Sequence, residues 1–149
     1  LGTVEDLGGN LGSPDLPAVG AGASLPDHVT LEVDTTAPFV VQVTSPTSDA
    51  VPLHQGDTID VAAELSEPVV FASAPSINLD LGPVPAPAIY PGGASPTALL
   101  TFRWVVLAGQ NSPDLDLVAH GAFVGSLEDV AGNPLTAPPP TGAAAGSLA

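Results

Sequence analysis

The chain contains the same segment twice, and this duplication constrains its organisation more than any single side chain does. Residues 2–26 align without a gap with residues 125–149 at a shift of 123 positions, so that GTVEDLGGN pairs with GSLEDVAGN. Self-similarity at a fixed period is the sequence signature of a tandem array. We therefore expect the chain to start late in one repeat and to stop at the matching point of the next, within a longer protein.

Composition predicts that a repeat folds, and that it folds into strands. The chain has 149 residues, of which 44% are hydrophobic, too large an apolar share for a disordered acidic tail. A period of 123 residues accommodates one domain with its linker. The 18 prolines and 16 glycines interrupt the sequence too often for long helices. Short strands and turns are expected instead.

The charge of the chain limits its partners. The formal net charge is −15, Arg103 is the only Lys or Arg, and there is no cysteine for a disulfide or a thiolate metal site. Nucleic acid and anionic membrane surfaces are poor partners for such a chain, and no apolar run is long enough to insert into a membrane. Cations are better partners, because divalent metal at clustered carboxylates relieves self-repulsion and couples to folding. The alternative is an acidic surface that serves only solubility or adaptation to salt.

Hydrophobic alternation with period two predicts about seven short strands. The residues expected to face inward are Phe39, Val41 and Val43; Ile59, Val61, Ala63 and Leu65; Ile77, Leu79 and Leu81; and Leu100, Phe102, Trp104 and Val106. Further strands are predicted at 28–33, 69–72 and 117–124, with a short edge segment at Tyr90. This pattern is typical of an all-β chain folded as an antiparallel β-sandwich. Arg103, on the outer face, is expected to pair with Asp60 or Glu64.

The strand at 28–33, HVTLEV, follows the first copy of the duplicated segment, and no counterpart follows the second copy. We therefore predict that residues 1–33 are the C-terminal part of a preceding repeat, residues 34–38 a linker, and residues 39–149 a repeat without its own last strand. Such a repeat has an open sheet edge. In a covalent array the next repeat closes that edge, which we favour because strand exchange alone does not require a second EDLGGN loop. Alternatively, residues 28–33 of a neighbouring subunit add as a donor strand and build a non-covalent filament.

Acidic residues recur at the predicted loops, where they are candidate ligands of calcium. Calcium binds about six to eight oxygens, and carboxylates that converge from three loops can supply them. The loops VDTTAP, SEP and EDVAGN, expected at one pole, contribute Asp34, Glu67 and Asp129, with Asn133 or backbone carbonyls in support. For Asp129 and Asn133, a role in forming a turn is an equal alternative, since Asp and Asn bond their own backbone.

A second acidic pair is predicted at the opposite pole of the sandwich. In PDLDL, Asp114 and Asp116 are one residue apart, so both side chains point the same way if the segment is extended. We expect them to serve calcium at the following junction. The sequence contains no EF-hand pattern, so the prediction depends on the combination of loops.

Five motifs follow one another over nearly the whole period: VDTTAP, GDTI with SEPV, INLDLG, LLTFRWVV with AGQNSPDLDL, and LEDVAGN. In this order they resemble the bacterial Ig-like, cadherin-like repeats of very large surface adhesins and related secreted proteins. The resemblance implies Ig-like sandwiches strung head to tail, extracellular or at the cell surface, and often stiffened by calcium at the junctions. VDTTAP is similar to the acidic linkers of cadherins, but it lacks a second Asp, which leaves the number of ions per junction open.

These features predict a structural module whose partners are neighbouring copies of the same repeat. A second hypothesis is a module that binds a surface glycan or a receptor, with Trp104 or Tyr90 as the platform. The aromatic content of 4% argues against a sugar stack. Catalysis is not expected, because the sequence has no G-x-S-x-G motif and no His-paired nucleophile.

Overall fold

The computed structural model describes residues 3–12, 15–47, 52–83, 86–118 and 123–136. Its contacts divide the chain into two compact units, Leu1–Asp34 and Thr35–Ala149. No helix among the described residues has both the length and the apolar character needed to cross a membrane.

The first unit has little regular structure among its described residues. A bridge between Glu5 and Leu11 closes a short loop, and helix α1 spans Leu25–His28. The start of the helix is fixed by Asp27, whose carboxylate accepts hydrogen bonds from the N–H and Oγ of Ser24, as in a capping box. Ser24 is the single buried residue in the described part of this unit. That part therefore has no apolar core.

The strand predicted at residues 28–33 is wrong for this chain. His28 ends helix α1, and the residues after it form no strand. The apolar side chains of Val29, Leu31 and Val33 are 43%, 70% and 87% exposed. A β-strand is held by hydrogen bonds to a neighbouring strand, and no described strand of the chain pairs with this segment. Alternation in sequence makes a strand possible but does not supply the partner.

Eight strands make up the described part of the second unit: β1 Val40–Thr44, β2 Thr58–Val70, β3 Ser76–Asp80, β4 Ala86–Ile89, β5 Thr97–Val105, β6 Asp116–Leu117, β7 Phe123–Val124 and β8 Glu128–Asp129. Their order in the sheet is β1-β2-β5-β4-β3-β6, with β7 also paired to β3 and β8 to β2. Every pairing is antiparallel. The predicted all-β, antiparallel class is confirmed at this level.

The predicted inward faces are confirmed in three strands. The buried residues there, each 8% exposed or less, are Ile59, Val61, Ala63 and Leu65 on β2, Ile77 and Leu79 on β3 with Leu81 after it, and Leu100 and Phe102 on β5 with Val106 after it. Trp104 is only half-buried and packs at the margin of this cluster. The core therefore lies against one face of each of these strands, as period-two alternation requires.

The inward face predicted for the first strand is wrong for Phe39 and Val41 and confirmed for Val43. Phe39 and Val41 are each 47% exposed, whereas Val40 and Val43 are 7% and 1% exposed. The pairing of β1 with β2 is irregular between Val40 and Gln42. An irregularity of one residue reverses the side-chain alternation on its two sides. Sequence periodicity alone does not show where such a bulge falls.

Two strand boundaries also differ from the prediction. The segment at 69–72 is not a separate strand, because β2 continues to Val70 past an irregularity in its pairing with β5 between Glu64 and Val69. Pro68 lies in that interval and cannot donate a backbone hydrogen bond. The strand predicted at 117–124 is represented by the short strands β6 and β7, and residues 119–122 lie outside the described residues.

Candidate metal centre

The structure brings three of the predicted ligands together. Glu67 lies near the end of β2, Asp129 lies in β8 opposite Val69 of β2, and Asp34 directly precedes Thr35. Each of the three acidic residues offers one carboxylate oxygen, and these oxygens lie within 4.8 Å of one another. Asp34 is exposed, Glu67 is half-buried and Asp129 is buried. We call this group the carboxylate triad.

Backbone contacts in the second unit hold the segment that follows Asp34. The N–H of Phe39 donates to Oγ of Ser66 at 3.0 Å, and the N–H of Ser66 donates to the carbonyl of Phe39 at 2.9 Å. The N–H of Thr136 donates to the carbonyl of Pro38 at 3.4 Å. The end of the predicted linker is therefore tied to the residue before Glu67 and to the chain that follows β8.

Asp129 closes a loop in which its carboxylate is oriented by Asn133. The backbone N–H and the Nδ2 of Asn133 each donate to a different oxygen of this carboxylate, both at 2.8 Å. The N–H of Asp129 donates to the carbonyl of Asn133 at 3.0 Å. Gly132 has φ +94°, a conformation that glycine adopts without strain. The turn-forming role of Asp129 and Asn133 is thus present, and binding of a metal by them stays a prediction.

These hydrogen bonds determine how the contribution of Asp129 to stability depends on pH. Burial raises the pKa of Asp129, but hydrogen bonds from the side chain and backbone of Asn133, and from the backbone of Gly132 and Ala131, outweigh burial and lower the pKa below 3.8. A lowered folded-state pKa means that the ionised carboxylate stabilises the fold above pH 3.8, and that this contribution is lost as the pH falls through the folded-state value. We therefore expect the wild type to have a higher melting temperature than Asp129→Asn at neutral pH. The two melting temperatures should converge below pH 3.8. Thermal melts across that range test this, and a gap that stays constant contradicts it.

The chain supplies few cationic side chains that could neutralise the triad. It has no lysine. Its one arginine, Arg103, donates from Nε and Nη2 to the carboxylate of Asp60 at 2.7 and 2.9 Å, which is one of the two partners predicted for it. The hydrogen bond from Arg103 lowers the pKa of Asp60. The guanidinium is therefore committed to a partner within the β2–β5 pairing.

The donor set of the triad fits calcium. Three carboxylates offer oxygen ligands only, which are the ligands that this hard cation prefers. Calcium–oxygen distances are about 2.3–2.6 Å, so two ligand oxygens of one ion lie at most about 5 Å apart. The separation of up to 4.8 Å within the triad is compatible with one ion. Asp34, Glu67 and Asp129 would hold that ion, and backbone carbonyls or water would complete its coordination.

The structure does not bring Asp114 and Asp116 to the triad. Asp114 lies in a bend and lines a cleft of about 480 Å³ together with Ile59 near the start of β2. Eight residues of extended strand, about 25 Å, separate Ile59 from Glu67. Asp116 begins β6, opposite Asp80. The expectation that Asp114 and Asp116 extend from one straight segment is wrong, since a bend follows Pro113, and a junction role for them stays a prediction.

Sequence reasoning did not treat Asp6 as a site residue, although Asp6 is the counterpart of Asp129 at the 123-residue shift. The N–H and Nδ2 of Asn10 donate to the two carboxylate oxygens of Asp6 at 2.9 and 2.8 Å. Gly9 has φ +79°, and these hydrogen bonds lower the pKa of Asp6. The loop around Asp129 is therefore formed twice. The signal that identifies Asp6 is the duplication itself.

The two aromatic residues considered as glycan platforms offer little open face. Tyr90 is 6% exposed, and its ring packs edge-on against Phe71 and Phe102 at centroid distances of 5.4 and 6.3 Å. Trp104 is half-buried, and its Nε1 donates to Oε1 of Gln110 at 3.0 Å. Both side chains contribute to packing, which the position of Trp104 on an apolar face predicts; the burial of Tyr90 was not predicted.

Comparison of the chain with protein-family models, curated proteins and solved structures found no match. Its function is therefore inferred from the carboxylate triad and the repeated loop.

Proposed function

We propose that the chain is a non-catalytic structural module of an extracellular adhesin, surface layer or filament, in which copies follow head to tail and bind calcium at their junctions. The carboxylate triad carries this proposal. Asp34 belongs to the predicted linker, whereas Glu67 and Asp129 belong to the body of the repeat. A cation bound by all three restrains the linker, because any bending at Asp34 has to break a metal–oxygen contact.

The array in this proposal is supported by the repeated loop. Asp6 with Asn10 and Asp129 with Asn133 make the same side-chain and backbone hydrogen bonds at a shift of 123 residues. Similar sequence and matching local geometry are expected of equivalent parts of successive repeats. The antiparallel strand order is compatible with the Ig-like, cadherin-like sandwich that the motifs resemble, and we include that two-sheet architecture in the proposal.

A filament of separate subunits joined by strand exchange is the second candidate. The alternating side chains of Val29, Leu31 and Val33 are exposed, which is the pattern of a donor strand that has not met its acceptor edge. Sedimentation velocity separates the two candidates. Oligomers whose sedimentation coefficient rises with protein concentration favour strand exchange. A monomer at all concentrations favours the covalent array.

Calcium is expected to raise the melting temperature of the chain. A ligand that binds only the folded state stabilises it by about 2.7 kcal/mol at a hundred times its dissociation constant, and the effect grows with concentration. Glu67→Gln is expected to remove most of this increment, because it replaces a charged ligand of the triad. The measurement is a series of thermal melts in EDTA and at rising calcium concentration, with sodium chloride of equal ionic strength as reference.

Glu64→Gln is the matched control for Glu67→Gln. It makes the same substitution on the same strand, but Glu64 is exposed and lies outside the triad, so the melting temperature of this variant should rise with calcium as the wild type's does. Equal calcium responses of the two variants would point to general screening of the acidic surface. A wild-type melt that is the same in EDTA and in saturating calcium would remove the metal from the proposal.

A further inference from the structure

The loop at residues 4–12 and the loop at residues 127–135 share one backbone pattern. In the first, Gly12 donates its N–H to the carbonyl of Val4 at 2.7 Å, and in the second, Leu135 donates to Leu127 at 2.8 Å. Each loop also contains an antiparallel bridge at matching positions, Glu5 with Leu11 and Glu128 with Pro134. Both loops are therefore the same structural element.

The two loops differ in what covers them. Leu127 and Asp129 are 3% and 2% exposed, because β8 is paired with the end of β2. Their counterparts are open: Val4 is 76% exposed, and Asp6 is exposed as well. One copy of the element is thus paired with a strand, and the other has no partner strand among the described residues.

We infer that the loop at residues 4–12 is an interaction surface, and that its partner is the end of β2 in a neighbouring copy of the same repeat. This inference rests on the proposed head-to-tail function: residues 1–33 are then the end of the preceding copy, and the loop at residues 4–12 completes the sheet of that copy as the loop at residues 127–135 completes the sheet here. The register of this pairing is taken from the loop at residues 127–135, which is paired with β2 in this chain. Glu5 lies opposite Val70 of the neighbouring copy and Asp6 opposite its Val69, as Glu128 and Asp129 do in this chain.

The chemistry of the loop fits that partner. Glu5, Asp6 and Asn10 are identical to the residues at the shifted positions, and Val4 replaces the buried Leu127 with another apolar side chain. Ser24 is the only buried residue in the described part of the first unit. The apolar side chains of that part therefore need contacts from outside it to become buried.

A two-repeat protein tests the contact. It consists of residues 35–123 followed directly by the complete chain, which keeps the 123-residue register and offers loop 4–12 to a first copy that lacks loop 127–135. The natural sequence has no cysteine, so Glu5→Cys together with Val70→Cys in the first copy introduces the only two thiols. Cα partners in an antiparallel pair lie about 4.5–5.5 Å apart, within disulfide range. We expect a disulfide to form in most molecules on mild oxidation in EDTA.

The control replaces Val70→Cys by Leu99→Cys in the first copy, because Leu99 is 55% exposed on β5, where it pairs with Glu64 rather than with β8. We expect little or no disulfide from this pair. In the two-repeat protein without cysteines, the amide of Gly12 should exchange with solvent at least about tenfold more slowly than in the single chain.

Three outcomes overturn the inference: no disulfide with Val70→Cys, equal disulfide with Leu99→Cys, or a first copy that stays unfolded because loop 4–12 fails to replace loop 127–135. A disulfide that forms in EDTA with Val70→Cys but not with Leu99→Cys supports the contact, whether or not calcium stabilises the chain. Failure of the calcium proposal is therefore distinguishable from failure of this one.

Discussion

Phe102→Ala is expected to destabilise the chain by about 3–5 kcal/mol, the usual cost of truncating a buried aromatic side chain. Phe102 is fully buried on β5. Its ring packs edge-on against Tyr90 and against Phe123, the latter at a centroid distance of 5.6 Å. Its removal leaves a cavity between β4, β5 and β7. Urea unfolding followed by Trp104 fluorescence measures the change in free energy.

Leu99→Ala is the matched control, three residues earlier on the same strand. Leu99 is 55% exposed, so its truncation is expected to change the free energy of unfolding by no more than about 0.5 kcal/mol. If the two variants lose similar stability, the assignment of the inner and outer faces of β5 is wrong.

Asp129→Ala is expected to lower the melting temperature in EDTA by roughly 5–15 °C. The variant leaves the N–H and Nδ2 of Asn133 without the carboxylate that accepts their hydrogen bonds. It also loosens β8, which directly follows the core residue Leu127. Because the measurement is made without metal, the loss reports the loop alone. Addition of calcium should then raise the melting temperature of the variant less than that of wild type.

The duplicated loop supplies the control for this variant. Asp6→Ala removes the same set of hydrogen bonds, donated by Asn10, from a loop that pairs with none of the strands the structure describes. We expect the main melting transition to be unchanged. Equal losses from Asp6→Ala and Asp129→Ala would mean that pairing with β2 does not distinguish the two loops.

The faces of the long strands were predictable because alternation is local. Ile59, Val61, Ala63 and Leu65 face the core as their spacing requires. The proximity of the triad was predictable for a related reason. Loops that precede or follow neighbouring antiparallel strands meet at a common end of the sheet, and acidic residues at such loops come close together.

Features that depend on partners distant in sequence were not predictable. The irregularity between Val40 and Gln42 depends on how β1 meets β2, and nothing in the alternating sequence locates it. Residues 28–33 have the pattern of a strand, but pairing requires an edge that the described part of this chain does not offer to them. Asp114 departs from the straight segment expected for PDLDL because a bend follows Pro113.

The central claim, that calcium stiffens the junction between consecutive copies, is tested most directly by small-angle X-ray scattering of the two-repeat protein with and without calcium. We predict that calcium increases the maximum dimension and narrows the distribution of distances between the two repeats. Glu67→Gln in the second copy should abolish this change, because Glu67 of that copy belongs to the triad that includes the intervening Asp34. Superimposable wild-type profiles in EDTA and in saturating calcium would contradict the account.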